Sequence, residues 1–224
     1  MYYNLWKGVT EKKAISSIEY NHTFRTQYFN CIMNALQTKP TNTTNTPRLT
    51  PIEQPSGLKL KLAYYFTKSK LGKTITPLKV TYARVPAALS IVQAFQKTTN
   101  ALTLDPELAL IIKSFVATQN GCSFCIDIAK AEAYEKEFMT ERYDELMNFE
   151  TSNQFSDKEK AALSYVSEVN TTKNATNDTF NRLKKYFTDE QIVEITILNA
   201  MENYYNYVNI PLGIESDDLC SIAQ

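Results

Sequence analysis

The sequence is short of the residues on which most metal sites and nucleotide-binding loops depend. Its 224 residues include one histidine and five glycines. A single histidine, His22, excludes sites that take two or more histidines from one chain. The glycines lie too far apart to form a GxGxxG or Walker loop. We therefore expect neither a nucleotide cofactor nor a histidine-based metal site.

An excess of charge and long apolar segments are missing as well. The 24 Lys and Arg residues balance the 24 Asp and Glu residues, whereas nucleic-acid binders carry a basic surplus. The longest apolar run, residues 108–112, is far shorter than the roughly 20 residues that span a bilayer. Residues 1–13 contain no apolar segment typical of a secretory signal. We expect a cytoplasmic protein that binds neither nucleic acid nor membrane.

What the sequence does contain is helical periodicity. Apolar residues recur at intervals of three and four, most clearly over residues 108–116. Asp105 and Pro106 predict the start of this helix, as an N-cap and a first-turn proline. Capping boxes at residues 156–159 and 188–191 predict two more helix starts. Because strand signals are weak, the predicted fold class is all-α.

The chain is predicted to divide near residue 57. Residues 38–57 are rich in Pro, Thr and Asn and predict an extended linker. Residues 1–57 would form an N-terminal arm, and residues 58–224 would form the helical domain. Further predicted helices cover residues 14–36, 58–71 and 86–96, and Asp178 is expected to cap a shorter helix through residue 186.

One pair of cysteines indicates chemistry. Cys122 and Cys125 directly follow Asn120-Gly121, a predicted helix C-cap, so they would occupy the first turn of the next helix. Residues three apart there share a face and can form a disulfide. A helix N-terminus and a CxxC motif both lower thiol pKa values, and a thiolate attacks peroxides and disulfides.

Three interpretations of the pair remain at this point. A redox dithiol is the one we favour. A structural zinc site needs four ligands, and only three distant candidates remain outside the pair. Two buried packing cysteines are the third interpretation. The residues left over for zinc are His22, Cys31 and Cys220, and both of these cysteines are expected to be ordinary thiols.

Motifs before and after the pair resemble one family. They comprise Pro77-Leu78-Lys79-Val80, the stretch from Pro106 through Cys122-Ser123-Phe124-Cys125-Ile126-Asp127, Phe155-Ser156-Asp157-Lys158-Glu159, and Phe187-Thr188-Asp189-Glu190. Over residues 58–215 the sequence resembles the carboxymuconolactone decarboxylase superfamily, and within it the alkyl-hydroperoxidase-D-like (AhpD-like), peroxidase-related branch. The resemblance implies an all-helical domain that assembles as trimers or hexamers. It also implies a thiol-dependent peroxidase or disulfide reductase with an antioxidant role, a hydroperoxide or small disulfide as substrate, and a thiol as electron donor.

The sequence departs from the family at its proton relay. The family has a glutamate twelve residues before the first cysteine and a histidine four residues after the second, where this chain has Leu110 and Ala129. Substitute carriers could be Glu107, Glu132, Glu202 or Asp127, although such carboxylates usually face solvent. His22, donated by another subunit, is a further candidate. Asp127 also fits a structural role, since the Cys-Ile-Asp ending is common in the redox branch.

A polar stripe lies on the last long predicted helix. Asn199, Glu202, Asn206 and Asn209 recur at helical spacing. They could line the cysteine site, with Glu202 as the proton carrier. A strip facing solvent or another subunit is the interpretation that the sequence favours.

The family pattern predicts that Cys125 attacks and Cys122 resolves. Local helix physics alone favours Cys122, which is nearer the helix start, as the thiol of lower pKa. Two other functions stay open. One is a lactone decarboxylase, although family members with that activity lack the CxxC pair. The other is a non-enzymatic helical oligomer that binds a partner or senses redox state.

Overall fold

The computed structural model describes residues 46–221, and the regular structure in this range is entirely helical. The all-α prediction is confirmed. The predicted helix over residues 14–36 and His22 lie outside the described residues. The α-helices within the range are α1 (Leu58–Leu71), α2 (Leu89–Ala101), α3 (Pro106–Asn120), α4 (Ser123–Glu135), α5 (Glu141–Asp144), α6 (Asp157–Thr172), α7 (Asn177–Lys184) and α8 (Asp189–Asn209).

Helix α3 is the central helix of this part of the chain. Its apolar run is almost completely buried, and it packs against α4, α6 and α8. Ile111, Ile112 and Val116 expose no surface. Burying a side chain of this size stabilises the fold by about 1.5–3 kcal/mol. The main apolar core therefore forms around α3.

Most of the predicted helix starts are confirmed. Asp105 accepts hydrogen bonds from the backbone of Glu107 and Leu108, and both capping boxes are present. The prediction that Asp178 caps α7 is wrong, because the Thr176 hydroxyl accepts the capping bond from the Thr179 backbone. Asp178 lies in the first turn instead, where a negative charge also favours the helix.

The helix predicted over residues 86–96 begins later than expected. Pro86–Ala88 forms a 3₁₀ turn, and α2 then continues to Ala101. Proline suits this turn because its fixed φ agrees with the first position of either kind of helix.

The turn between α3 and α4 places the cysteine pair. Gly121 has φ +72° and ends α3 in the left-handed conformation that glycine adopts without strain. Cys122 then takes an extended conformation in the N-cap position of α4, with Cys125 in the first turn. The prediction that the CxxC pair lies at a helix N-terminus is confirmed.

Residues 46–57 contain no helix and run along the helical body. Arg48 and Ile52 donate backbone hydrogen bonds to the carbonyls of Leu212 and Lys79, at 2.9 and 3.1 Å. The division of the chain near residue 57 remains a prediction. Among the helices of the described range, none combines the length and the apolar character needed to cross a membrane.

Candidate active site

Cys122 and Cys125 are joined by a disulfide at the start of α4. Their Cα atoms are 5.2 Å apart, within the range that a disulfide requires. Both side chains are buried, with 1% of Cys122 and 5% of Cys125 exposed. The two residues are therefore bonded to each other and are not separate thiols in this structure. Within residues 46–221, no group of three or more His, Cys, Asp or Glu side chains could hold a metal ion.

The pair lies in an apolar cluster separate from the main core. We call this the cysteine cluster. It is built by α1, by the π-helical turn Leu78–Tyr82, by α4 and by residues 210–221, which we call the C-terminal segment. Its buried members include Leu60, Tyr64, Leu78, Val80, Phe124, Ile214 and Leu219. These side chains exclude water from the sulfur atoms, which makes any charge or hydrogen bond there stronger than at the surface.

Two amide groups from α8 donate hydrogen bonds to the sulfur of Cys125. Asn206 Nδ2 lies 3.2 Å from Cys125 Sγ, and Asn209 Nδ2 lies 3.5 Å from it. Asn206 is completely buried and Asn209 is 4% exposed. N–H donors that point at a sulfur stabilise its negative charge, so the same contacts would favour a thiolate at Cys125.

The orientation of Asn206 is fixed by two further contacts. Its Nδ2 also donates to Glu202 Oε1 at 2.8 Å, and its Oδ1 accepts from Asn120 Nδ2 at 2.8 Å. Asn120 is itself held by Asn170 Nδ2, which donates to Asn120 Oδ1 at 2.9 Å. A row of amides from α3, α6 and α8 therefore fixes which side of Asn206 faces the sulfur.

Glu202 is a buried carboxyl one helical turn from Asn206. Burial raises its pKa from 4.5 to about 7, against the lowering effects of Lys113 and of the Asn206 hydrogen bond. Glu132 adds a smaller raising effect. A pKa near 7 lets a carboxyl both give and take a proton at neutral pH, which is the property that acid–base catalysis needs.

The other carboxylates predicted as proton carriers lie in ion pairs or structural hydrogen bonds. Glu107 pairs with Arg142 at 2.7 Å, and Arg142 also pairs with Glu159. Glu132 pairs with Lys136 at 2.8 Å and with Lys113 at 3.5 Å. Burial raises the pKa of Glu132, but the two lysines outweigh this effect and lower the pKa to about 2.

Asp127 anchors the C-terminal segment to α4. Its carboxylate accepts hydrogen bonds from the Ser216 hydroxyl at 2.9 Å and from three backbone N–H groups at 3.0–3.1 Å. Those N–H groups belong to Asp217, Leu219 and Cys220. The geometry matches the structural role that the Cys-Ile-Asp ending predicts.

Two expectations about these residues are wrong. The polar stripe on α8 does not face solvent or another subunit, because Asn199, Glu202, Asn206 and Asn209 are each at most 6% exposed. Two members of the stripe, Asn206 and Asn209, instead contact the Cys125 sulfur, and Glu202 contacts Asn206. Cys220 is disulfide-bonded, so it is not the ordinary thiol that was expected. Cys31 lies outside the described residues.

The family's relay positions hold buried apolar side chains. Leu110 is 2% exposed and Ala129 is 5% exposed, and both belong to the main apolar core. The sequence did not single out Asn206 and Asn209 as donors to sulfur. Their place in the polar stripe was the available signal, but it does not say which face of α8 meets α4.

Two curated proteins are similar in sequence. The uncharacterized protein YnjA from Escherichia coli (strain K12) is 24% identical over 156 residues, covering 68% of this chain and 85% of YnjA. The uncharacterized protein YdfG from Bacillus subtilis (strain 168) is 25% identical over 134 residues, covering 59% of this chain and 91% of YdfG. No family model matches the chain.

Solved structures give a clearer likeness. ATU0492 from Agrobacterium tumefaciens, a protein of unknown function proposed to be the antioxidant defence protein AhpD, superimposes with a TM-score of 0.58 at 25% identity. The match covers 61% of this chain and 96% of ATU0492. An uncharacterized peroxidase-related protein from Silicibacter sp. TM1040 has a TM-score of 0.71 at 16% identity, covering 83% of this chain and 100% of that protein. The chain has the AhpD-like fold.

The AhpD-like fold agrees with the resemblance found in the sequence, and the neighbours are consistent with the carboxymuconolactone decarboxylase superfamily. The chain is also similar to the debrominase Bmp8, with a TM-score of 0.66 at 18% identity, covering 82% of this chain and 97% of Bmp8. A likeness at this identity extends to the fold alone. The activity has to be argued from the cysteine site.

Proposed function

We propose that the protein is a thiol-dependent peroxidase or disulfide reductase in which Cys122 and Cys125 form the redox pair. The observation that carries the proposal is the pair of amide donors, Asn206 and Asn209, on the sulfur of a disulfide-bonded CxxC cysteine. The peroxidase-related and antioxidant names of the structural neighbours support the same class of chemistry. The proposal includes an antioxidant role, a cytoplasmic location and a homo-oligomeric state, a trimer or a hexamer.

Cys125 is the attacking cysteine in this proposal. Its thiolate attacks one oxygen of the hydroperoxide, the O–O bond breaks, and the other oxygen leaves as an alcohol after taking up a proton. The Cys122 thiol then attacks the sulfenic acid at Cys125, which forms the disulfide and releases water. Two equivalents of a donor thiol reduce the disulfide and become a disulfide themselves. The donors at Cys125 support this order over the reverse, because they stabilise charge on that sulfur and not on Cys122.

The test is consumption of tert-butyl hydroperoxide with dithiothreitol as the electron donor. Wild-type protein should turn over, and Cys125→Ser should lose turnover entirely. Cys122→Ser should accumulate a sulfenic acid at Cys125, detected by mass spectrometry after dimedone labelling. Accumulation of the label only in Cys125→Ser would reverse the order of attack.

A wild-type protein without turnover of hydroperoxide or of a small disulfide would refute the enzyme proposal. The non-enzymatic redox sensor would then be the better description. Nothing at the site supports the decarboxylase alternative, because decarboxylation does not use a pair of thiols.

A further inference from the structure

We propose that Glu202 is the proton carrier of the dithiol site: it takes the proton of the Cys125 thiol and returns it to the oxygen that leaves the peroxide. The inference rests on the proposed function. Leu110 and Ala129 occupy the two positions of the family's proton relay and cannot carry a proton. The inference assigns that role to a residue of a different helix, α8.

The first argument is geometric. One nitrogen, Asn206 Nδ2, donates to both Cys125 Sγ at 3.2 Å and Glu202 Oε1 at 2.8 Å. The two N–H bonds of an amide diverge by about 120°, which places the sulfur and the carboxyl oxygen roughly 5 Å apart. One water molecule can carry a proton over that distance, and transfer through a single water is within the reach of a general base.

The second argument concerns charge. A Cys125 thiolate and a Glu202 carboxylate would be two negative groups in one buried space, since 6% of Glu202 and 5% of Cys125 are exposed. Like charges this close and this buried do not both ionise at neutral pH, so such a pair holds one proton between them. The thiolate with protonated Glu202 is therefore the reactive form of the reduced site. Asn209 favours it, because its N–H group donates to the sulfur at 3.5 Å. Asn206 donates to the sulfur and to Glu202 alike, so it links the two groups without selecting between them.

The charged groups that act on Glu202 come from the two helices packed beside it. Lys113 of α3 lowers the pKa of Glu202 and Glu132 of α4 raises it, and these two residues pair with each other at 3.5 Å. Their opposing effects leave burial as the main cause of the raised pKa. Glu202 can therefore hold a proton at neutral pH and also lose it.

The proton balance of the reaction follows from this arrangement. The Cys125 thiol gives its proton to the Glu202 carboxylate and becomes a thiolate. The thiolate attacks the hydroperoxide, and as the O–O bond breaks, protonated Glu202 supplies a proton to the leaving oxygen. The products are the Cys125 sulfenic acid, an alcohol and the Glu202 carboxylate, so no proton is drawn from solvent.

The variant Glu202→Gln tests the inference, because glutamine keeps the acceptor for Asn206 but carries no exchangeable acid proton. We expect turnover of tert-butyl hydroperoxide to fall roughly 10²-fold at pH 7, the usual size of a general acid–base contribution. Alkylation of reduced Cys125 by iodoacetamide should stay equal or become faster at pH 8, since a negative neighbour of the thiolate is gone. The matched control is Glu194→Gln on the same helix, which removes a carboxylate that accepts hydrogen bonds from the backbone of Thr103 and Leu104 and should leave turnover unchanged.

The opposite directions of the two readouts separate proton transfer from a structural effect. Turnover within twofold of wild type would overturn the inference. A folded variant that loses both turnover and Cys125 alkylation would also overturn it, since Glu202 would then only shape the site.

A measurement on the wild-type protein needs no substitution. The carboxyl ¹³C resonance of Glu202 should titrate in one step in the disulfide form. In the reduced form it should titrate in two steps, one of them shared with Cys125. Identical single-step titrations in both redox states would refute proton sharing. This readout does not depend on hydroperoxide turnover, so failure of the proposed function and failure of the inference are distinguishable.

Discussion

Asn206 donates a hydrogen bond to the sulfur of Cys125 over 3.2 Å, although the two residues lie 81 positions apart in the chain. The sequence gives conflicting indications of which cysteine attacks the substrate, and this contact bears on the choice. Cys122 is nearer the start of α4, where the helix dipole acts most strongly, yet the two amide donors lie on Cys125. We expect the direct donors to outweigh the dipole, because a hydrogen bond to a charged group contributes about 1.5–3 kcal/mol and the dipole about 0.3–1 kcal/mol at a typical site.

Replacing Asn206 should make Cys125 less reactive. A hydrogen bond to a charged group contributes about 1.5–3 kcal/mol, so Asn206→Ala should move the midpoint of Cys125 alkylation to higher pH. The measurement is the pH dependence of iodoacetamide alkylation of reduced Cys125, followed on its peptide by mass spectrometry. Asn181→Ala is the matched control, because Asn181 is an exposed asparagine of α7, away from the cysteine site. Equal midpoints for the two variants would contradict the role given to Asn206.

The sequence predicted the parts of the site that depend on neighbours in the chain. A glycine that ends one helix and a CxxC pair that begins the next are local signals, and both capping boxes depend on four consecutive residues. These features are independent of how helices pack. They were accordingly predicted at the correct positions.

The side of α8 that faces the cysteines could not be predicted in the same way. The usual rule places apolar residues inside and polar residues outside. Helix α8 departs from it, since Val193 is 56% exposed and Tyr207 is 61% exposed while Glu202 and Asn206 are buried. The packing of α8 against α3 and α4 makes the polar face an inner surface. That contact joins residues too distant in the chain for a spacing rule to detect.

Glu202 should reduce stability at neutral and higher pH. Its pKa is raised from 4.5 to about 7, so between these values the folded state binds more protons than the unfolded state, and stability falls as the pH rises. The loss is complete above about pH 7 and is about 3 kcal/mol. Glu202→Gln should therefore increase the free energy of unfolding at pH 8 and leave it nearly unchanged at pH 4.5, as measured by urea denaturation. An unchanged free energy of unfolding at pH 8 would show that ionisation of the buried Glu202 carboxyl does not destabilise the folded state.

The ionised Glu132 carboxylate should instead stabilise the folded state at neutral pH. Its pKa is lowered from 4.5 to about 2, so its contribution is fully present above pH 4.5 and is lost as the pH falls toward 2. Glu132→Gln should lower the free energy of unfolding at pH 7 by about 3 kcal/mol. The difference between variant and wild type should disappear near pH 2. A pH-independent difference would indicate lost packing rather than lost ion pairs with Lys113 and Lys136.

Lys113 and Glu132 should shift the pKa of Glu202 in opposite directions. Removing the positive charge with Lys113→Gln should raise the pKa of Glu202, and removing the negative charge with Glu132→Gln should lower it. Each change should be on the order of half a pH unit. The carboxyl ¹³C resonance of Glu202 in the disulfide form is the measurement. Lys130→Gln is the control, because Lys130 pairs with Asp144 at the surface. Shifts of the Glu202 pKa in the same direction for Lys113→Gln and Glu132→Gln would contradict the electrostatic account.

Asp127 should be needed for stability and not for proton transfer. Asp127→Ala would leave three buried or partly buried backbone N–H groups without their acceptor, and each such loss costs about 1–3 kcal/mol. We expect a decrease of at least about 3 kcal/mol in the free energy of unfolding, with early proteolysis of the C-terminal segment. Ser216→Ala, which removes only the hydroxyl contact, should cost about 1 kcal/mol. Turnover per folded molecule should match wild type in Ser216→Ala, whereas a loss of turnover with unchanged stability in Asp127→Ala would instead place Asp127 in the chemistry.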